Sequence, residues 1–355
     1  MNFTYRSLPW NIVFGAGSVS HLPDELHKAG FSRALVLTTP EQRDQGEWLS
    51  NLLGDRAVGL FDQARMHVPV DTVHAAWKEA RSARADCTVA FGGGSTTGLG
   101  KALMLEHDLP NVAVPTSYAG SEMTNIWGTT QDRKKRTGRS DAVVPKLTVY
   151  DPELTISLPV AFSAASGLNA MAQAAVNVAT NSLNPIVALM AAEAVRALHE
   201  GLPSVVKAPD DIHARSLALY GACLAGASLG TGTTGLHHRL CHTLGGTLNT
   251  PHAQTHTVLL PHSIAFNAVA AASGTRRLAA ALSTDNAAVE LYEFAKRLSA
   301  PTSLQQIGVE EADLDEAARV ATETPVANPE PVSTDRVRWL LDNAYNGRTP
   351  EIPPP

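Results

Sequence analysis

The sequence predicts an α/β domain with a parallel, Rossmann-like sheet, followed by an all-α domain. Three observations indicate this fold class. Short apolar runs alternate with amphipathic stretches up to residue 150, and most runs end at glycine or a turn residue. From residue 154 onward the chain is rich in alanine and leucine. Strands that alternate with helices form βαβ units, and these units build a parallel sheet covered on both faces.

Each predicted element follows from this patterning. The predicted strands are residues 10–14, 34–38, 57–61, 87–91, 111–114 and 147–150. The helices predicted between them are residues 18–28, 40–53, 70–83 and 96–107. The helices predicted for the second half are residues 160–180, 184–205, 211–230, 235–246, 256–273, 275–283 and 286–298. The change in character places the domain boundary after residue 155, giving domains 1–155 and 156–355.

Composition narrows the functional class. A chain of 355 residues suggests about two domains. The net charge is −6, and no basic run is long enough to indicate a nucleic-acid partner. The three cysteines are widely spaced, as in a reduced protein, and no segment has the character of a signal peptide or a membrane span. We therefore expect a cytoplasmic protein that acts on a small molecule, without a membrane or nucleic-acid partner.

The segment Gly235–Asn267 carries six of the thirteen histidines, at positions 237, 238, 242, 252, 256 and 262. His238 and His242 are four residues apart, so a helix would place them on one face. Gly245 and Gly246 are expected to weaken or end that helix before a turn at Pro251. Such clustering is typical of a metal or proton-transfer site. Buried histidines that serve only as hydrogen-bonding groups are the alternative interpretation.

Two glycine- and hydroxyl-containing loops follow predicted strands. In Gly92–Ser95 a strand runs through glycines into a helix, which suits phosphate binding at the helix N-terminus, although glycine triplets also occur in plain turns. The segment matches neither GxGxxG nor the Walker loop. Residues 114–122 (VPTSYAGSE) follow the next strand, where loops line the ligand crevice of parallel sheets. Taken alone, this segment is better explained as an ordinary polar loop with Ser121 as a helix N-cap.

Two further patterns are less specific. Asn169 and Gln173 are also four residues apart, on another predicted helix, and each offers only a neutral carbonyl oxygen to a metal. Such a pair is usually polar surface or a hydrogen-bonded core pair. The basic run Arg133–Arg136, with Arg139, precedes the last strand. It is either solvated surface or a source of attraction for an anionic ligand.

Taken together, the motifs resemble the iron-containing (group III) alcohol dehydrogenase superfamily, and within it the maleylacetate reductase branch. The segments that carry the resemblance are FGAGS 14–18, GGGS 92–95, VPTSYAGSEMT 114–124, KKRTGR 134–139, VYDPELT 149–155, SLP 157–159, SAASGLNAMA 163–172, LGGTLNTPHAQTHTVLLPH 244–262 and NPEPV 328–332. The resemblance implies a dehydroquinate synthase-like fold, with a dinucleotide-binding α/β domain before a helical domain. It also implies a homodimer.

The resemblance carries over a metal site position by position. Metal-dependent members use Asp, His, His and His at positions that match Asn169, Gln173, His238 and His252 here. Two of the four positions therefore hold neutral amides, which removes charge compensation and a good imidazole ligand. We expect no tightly bound metal, with His238 and His252 used for the substrate instead.

The resemblance also implies a nicotinamide cofactor. The matching cofactor-binding positions are Thr38, Pro40, Gly93, Gly94, Ser95, Thr116, Ser117, Lys135 and Leu158. No acidic side chain stands at the end of the second strand, so nothing there repels a 2′-phosphate. NADH and NADPH both remain open, and the branch favours NADH.

The activity implied is NAD(P)H-dependent reduction of the carbon–carbon double bond of maleylacetate, a dicarboxylic keto acid, to 3-oxoadipate in aromatic-compound catabolism. His238 and His252 would stabilise the developing charge on the ketone oxygen, and His242 is the candidate acid. The candidate substrate contacts are Tyr118, Asn169, Gln173 and Arg239, with Lys135 as a further cation for the substrate carboxylates.

Three other functions are compatible with the sequence. One is a metal-dependent NAD(P) alcohol dehydrogenase that tolerates the two amides. Another is a phosphate-eliminating cyclase of the dehydroquinate synthase type, which needs a competent metal site. The last is a cofactor-binding relative that has lost catalysis, against which the intact NTPHAQTH stretch argues.

Overall fold

The computed structural model describes residues 2–132, 134–180, 184–232 and 235–354. Arg133, the first residue of the predicted basic run, lies outside them. The chain divides into two compact units, one comprising Ser7–Leu158 and the other comprising the chain from Pro159 onward together with the segment that ends at Arg6.

The first unit contains a six-stranded parallel sheet. Its strands are β1 Ile12–Phe14, β2 Ala34–Leu37, β3 Ala57–Phe61, β4 Cys87–Gly92, β5 Asn111–Pro115 and β8 Leu147–Tyr150. Their order in the sheet is β1-β8-β5-β4-β2-β3. The helices between them are α1 Leu22–Lys28, α2 Arg43–Leu53, α3 Val70–Ser82 and α4 Gly94–His107. The predicted parallel sheet is therefore confirmed, strand by strand.

Both faces of this sheet are covered, which explains the continuous apolar runs of the central strands. Successive side chains of a strand point to opposite faces. Val36 accordingly packs in a core with residues of α1 and α2, such as Leu22 and Leu49. Its neighbour Leu35 packs on the other face, in a core formed with α3 and α4.

A two-stranded antiparallel hairpin lies outside the main sheet. It consists of β6 Ile126–Gln131 and β7 Lys134–Arg139, paired in register from Ile126 with Arg139 to Gln131 with Lys134. Most side chains of β7 are exposed. The described part of the basic run is thus one solvent-facing strand.

The second unit is helical. Its helices are α5 Val160–Thr180, α6 Pro185–Lys207, α7 Ile212–Thr231, α8 Leu236–Leu248, α9 His252–Asn267, α10 Ala272–Ala281, α11 Ala287–Arg297, α12 Leu314–Thr322 and α13 Thr334–Tyr345. Small residues let α6 and α7 approach closely, since a Cβ on Gly201 would lie 3.0 Å from the backbone nitrogen of Ala218.

The bounds of α8 and α9 differ from the sequence prediction. Helix α8 continues through Gly245 and Gly246 to Leu248 and ends at Asn249, whose φ of 54° is left-handed. Helix α9 begins at His252, directly after Pro251, and not at residue 256. Glycine is tolerated in a helix at a cost of about 1 kcal/mol, so the two glycines do not end α8.

Helices α12 and α13 were not predicted, and they form much of the core around α8 and α9. The cluster combines Leu240 and Leu244 of α8 with Leu259 of α9, and with residues of α12 and α13 that include Leu314 and Leu341. The C-terminal part of the chain therefore supports the histidine-rich segment directly.

Cys87, Cys223 and Cys241 are all buried free thiols. Among the described residues, no helix combines the length and the apolar character that crossing a membrane requires.

Candidate active site

Five histidine rings of α8 and α9 form one cluster. The ring centroids of His238 and His242 lie 6.5 Å apart on α8, and His242 faces His252 of α9 at 6.5 Å. His256 contacts His252 at 4.5 Å and His238 at 5.4 Å. His242 and His252 are exposed, whereas His238 is 7% exposed. The three predicted catalytic histidines therefore do come together.

Two of the five rings, those of His237 and His256, form a buried pair. His237 Nε2 and His256 Nδ1 are 2.9 Å apart, and His237 Nδ1 is 3.3 Å from Ser263 Oγ. Cys241 Sγ lies 3.7 Å from His237 Nε2. Burial, with smaller contributions from the neighbouring histidines, lowers the pKa of His237 and of His256 well below the ordinary range. Both imidazoles are therefore neutral at physiological pH.

The electrostatic character of the cluster follows from its composition. The whole segment Gly235–Asn267 contains neither aspartate nor glutamate. A carboxylate beside an imidazole would favour its charged form, and α8 and α9 supply none. The two helices thus contribute no negative charge to the cluster, and any proton that its imidazoles take up makes it positive. Such a surface suits an anionic ligand.

A cavity of about 610 Å³ opens beside the cluster. Its walls come from α8 and from the end of α12 with the segment that follows it, and they include His242, Arg239 and Thr324. Arg239 Nη1 donates a hydrogen bond to Thr324 Oγ1 over 2.8 Å. Glu323 also lines the cavity, but its carboxylate is paired with Arg319. Arg239 is therefore the cation available to a ligand in this cavity.

The segment after α12 is anchored to α9. Asn328 Nδ2 donates to Asn267 Oδ1 over 2.7 Å, and the backbone N–H of Glu330 donates to the same oxygen over 3.2 Å. These bonds explain the NPEPV motif structurally, because they fix the cavity wall that carries Thr324.

Asn169 and Gln173 lie one turn apart on α5, which packs against α9. Asn169 is half-buried and Gln173 is buried. Within the described part of the chain, neither Asn169 Oδ1 nor Gln173 Oε1 has a hydrogen-bond partner. Among the described residues, the two amides thus present oxygen acceptors without an assigned donor.

The Gly92–Ser95 loop has the geometry expected for close approach of a phosphate. Gly92 has φ 146°, a conformation that favours glycine, and Gly93 is the N-cap of α4. A Cβ on Gly93 would lie 3.0 Å from Ser117 Oγ, so the glycine leaves the space between the two loops open. Backbone N–H groups of a fourteen-residue helix therefore face an open cradle.

The strand order places this cradle at a switch point of the sheet. Strand β2 lies between β3 and β4. Strand β3 is thus added on one side of β2 and β4 on the other, and the strand order reverses between β2 and β4. Thr38 and Pro40 directly follow β2, and Thr116 and Ser117 directly follow β5. Gln42 Nε2 donates to Thr116 Oγ1 over 3.1 Å and links the two loops.

Lys101 is a buried lysine that stabilises a loop of the candidate site, and the sequence did not indicate this role. From α4 its Nζ donates to the carbonyl oxygens of Ser121, Thr124 and Ile126 at 2.6 to 2.9 Å, and also to Thr124 Oγ1. Burial lowers the pKa of Lys101 to about 7, although nearby Glu122 favours its charged form. The lysine holds the end of the loop that carries Thr116 and Ser117.

The remaining predicted site residues occupy varied environments. Lys135 is exposed on β7, and Leu158 is half-buried at the end of its unit. Tyr118 is fully buried. Ser95 begins α4 beside Gly94. The structure thus places Lys135 in solvent and leaves Tyr118 without an exposed surface.

Sequence reasoning did not assign roles to His237, His256, Cys241 or Ser263. The signal was available in part, because His237 and Cys241, and His252 and His256, are also four residues apart. Which helix faces would oppose one another was not readable, since it depends on the turn at Asn249–Pro251.

The chain matches two sequence profiles that together cover most of its length. The profile for iron-containing alcohol dehydrogenase matches residues 9–152, and that for the C-terminal part of the Fe-containing alcohol dehydrogenase family matches residues 163–345.

Individual relatives agree with these profiles. A maleylacetate reductase from Sphingobium indicum is 52% identical over 99% of both chains, and one from Burkholderia cepacia is 48% identical over 98% of this chain and 99% of the relative. The crystal structure of maleylacetate reductase from Agrobacterium tumefaciens superposes with a TM-score of 0.96 at 48% identity, covering 99% of this chain and all of the other. The chain therefore belongs to the iron-containing alcohol dehydrogenase family.

Proposed function

We propose that this protein reduces the carbon–carbon double bond of maleylacetate with NAD(P)H and forms 3-oxoadipate. The observation that carries the proposal is the cavity lined by His242 and Arg239, in which the carboxylate of Glu323 is paired with Arg319. A dianionic keto acid fits these surroundings. Relatives named maleylacetate reductases, at 42–52% identity over nearly the whole chain, support the same substrate.

When bound, NAD(P)H would supply the hydride that adds to the alkene carbon β to the ketone. The electron pair of the double bond then moves toward the ketone, and negative charge develops on its oxygen as an enolate. We assign the stabilisation of this oxygen to His238 and His252. A well-placed donor of this kind lowers the barrier by about 3–4 kcal/mol.

The enolate must next be protonated on carbon. His242 is assigned as the acid, because it is exposed on the cavity wall and one helical turn from His238. Arg239 is assigned to a substrate carboxylate, and Thr324 holds its guanidinium. Asn169 and Gln173 are assigned to polar contacts with the substrate. Tyr118 is assigned to support of the site and not to a direct substrate contact, because its side chain is fully buried.

We assign the cofactor to the unit Ser7–Leu158 and the substrate to the helical unit. Gly93, Gly94 and Ser95 would hold the pyrophosphate with backbone N–H groups. The other proposed cofactor residues are Thr38, Pro40, Thr116, Ser117, Lys135 and Leu158. NADH is the preferred form, and NADPH is the alternative because no carboxylate follows β2 directly. We further propose a homodimer, which light scattering would test.

We also propose that no tightly bound metal takes part. Of the four positions that hold ligands in metal-dependent relatives, Asn169 and Gln173 offer neutral amide oxygens. A divalent cation at this place would have no anionic ligand from these four side chains, and carboxylate or thiolate ligands normally provide that compensation. The residues therefore do not fit a tightly held iron or zinc ion.

The test is NADH oxidation with freshly made maleylacetate, measured with EDTA and, in parallel, with added Fe²⁺ or Zn²⁺. Rapid turnover that EDTA does not affect is the expected result. Turnover only after metal addition would contradict the metal-free mechanism and favour a metal-dependent alcohol dehydrogenase. Tight NADH binding without turnover of maleylacetate would indicate a relative that has lost this reaction.

A further inference from the structure

Ser263 and the two buried rings of the histidine cluster, His237 and His256, form a hydrogen-bonded series. It runs from Ser263 Oγ to His237 Nδ1, and from His237 Nε2 to His256 Nδ1. All three side chains are at most 3% exposed. His256 Nε2, the last atom of this series, has no hydrogen-bond partner within the described residues. The protonation of this last nitrogen is decided by the contacts before it.

The donor and the acceptor in each of these contacts follow from the serine hydroxyl. Hydroxyls within helices usually donate to the carbonyl four residues back, as Thr257 does to Ala253 over 2.9 Å. The Ser263 hydroxyl makes no such bond, and among the described residues its hydrogen-bond partner is His237 Nδ1. A buried hydroxyl proton needs an acceptor. We infer that Ser263 donates to His237 Nδ1, since a proton on Nδ1 would leave the hydroxyl without an acceptor among the described residues.

The tautomers of both histidines are then determined. A neutral imidazole carries one proton, so His237 carries it on Nε2 and donates it to His256 Nδ1. His256 in turn carries its proton on Nε2, where no described residue accepts it, so a ligand or a water molecule is left to accept this proton. Both rings are buried, and α8 and α9 carry no aspartate or glutamate that would hold a second proton on them, so each ring is neutral. Cys241 Sγ, 3.7 Å from His237 Nε2, is a weak second acceptor for the same proton.

We propose that His256 is a positioning residue, fixed in its Nε2–H tautomer by Ser263 and His237, which holds the rings of His252 and His238 in their working orientation. The ring contacts of 4.5 Å to His252 and 5.4 Å to His238 are the basis for this role. The role rests on the function proposed above, whereas the tautomer does not. The two can therefore fail separately.

The tautomer is tested without turnover. In protein labelled with ¹⁵N-histidine, two-bond proton–nitrogen spectra distinguish Nε2–H from Nδ1–H rings. His256 and His237, assigned through their substitution, should both show the Nε2–H pattern. Ser263→Ala should change the pattern of His237, whereas Thr257→Ala should leave it unchanged. An Nδ1–H pattern for either histidine in the unsubstituted protein would overturn the inference.

The positioning role is tested with His256→Asn, because the asparagine oxygen can still accept the proton of His237. We expect kcat with maleylacetate to fall at least tenfold while KM, the Kd for NADH and the melting temperature stay near those of the unsubstituted protein. Unchanged kcat would overturn the role, as would a loss of kcat that parallels a loss of thermal stability. If the unsubstituted protein does not reduce maleylacetate, the proposed function fails and the tautomer result stands.

Discussion

Arg239 Nη1 donates to Thr324 Oγ1 over 2.8 Å, and this bond joins α8 to a segment 85 residues further along the chain. Because both residues line the cavity beside His242, the bond orients the guanidinium toward a ligand. We predict that Arg239→Gln raises KM for maleylacetate roughly tenfold to a hundredfold, as expected from losing a charged hydrogen bond of about 1.5–3 kcal/mol. Steady-state kinetics with varied maleylacetate measures this.

The matched variants separate charge from orientation. Thr324→Val keeps the cation and removes its hydroxyl partner, so its effect on KM should be smaller. Arg276→Gln removes an exposed arginine on α10 and should leave KM unchanged. If Arg239→Gln and Arg276→Gln behave alike, Arg239 does not bind the substrate.

His242 is predicted to limit the protonation step. General acid–base catalysis contributes roughly 10²- to 10⁴-fold to a rate, so His242→Ala should lower kcat by about 100-fold or more. Binding of NADH, followed by fluorescence, should not change. His27→Gln, at an exposed position on α1, serves as the control. A kcat for His242→Ala within a few-fold of the unsubstituted enzyme would rule out the acid role.

The parallel sheet was predictable because its strands are short, buried runs separated by amphipathic helices. The bounds of α8 were not, because Gly245 and Gly246 mimic a helix end, while the real end is the left-handed Asn249. Helix α12 carried a readable signal. Its buried residues Leu314, Ala317, Ala318 and Ala321 recur at helical spacing with polar residues between them, which is the pattern of an amphipathic helix, so this helix could have been predicted.

The candidate site was predictable in its parts and not in its contacts. The spacing of His238 and His242 indicates one helix face, and that prediction matches the structure. The contact between His237 and His256 depends on how α8 and α9 oppose each other across a short turn, which no periodicity encodes. The partner of Arg239 depends on a distant segment held by Asn267, and long-range hydrogen bonds of this kind leave no local pattern.

Gly92 is predicted to be essential for cofactor binding. Its φ of 146° disfavours any side chain, and a Cβ would lie 2.7 Å from Gln42 Oε1. Strain of about 1–3 kcal/mol is typical of such a position. The free loop can relieve this strain by leaving the conformation that binds the cofactor, so Gly92→Ala should raise the Kd for NADH roughly fivefold to a hundredfold. Gly15→Ala, where a Cβ meets no atom within 4 Å, should bind NADH normally. Fluorescence titration distinguishes the two, and equal affinities would contradict the assignment of this loop.

His262 is predicted to make stability depend on pH. It is buried on α9, and burial lowers its pKa from 6.5 to about 4. Between these values the unfolded chain binds the proton and the folded protein does not, so stability rises with pH across this window and is lost on acidification. The slope is about 1.4 kcal/mol per pH unit for one group.

The variant His262→Gln isolates this contribution. Its midpoint for urea unfolding should fall less between pH 7 and pH 5 than that of the unsubstituted protein, whatever the effect on stability at pH 7. The exposed control His27→Gln should retain the original pH dependence. If the urea midpoints of all three proteins fall equally between pH 7 and pH 5, His262 does not titrate in this way.

We predict that the neutral amides of Asn169 and Gln173 keep this protein from holding a divalent cation tightly. The double variant Asn169→Asp, Gln173→His would place one carboxylate and one imidazole at these positions on α5, and with them the charge compensation that a divalent cation needs. We expect the variant to retain about one Zn²⁺ or Co²⁺ per chain after dialysis, measured by elemental analysis, where the unsubstituted protein retains none. Adding His252→Ala to the double variant should abolish retention, which excludes adventitious binding. If the unsubstituted protein instead holds one metal ion per chain through EDTA dialysis, the two amides are ligands after all, and the metal-free mechanism is wrong.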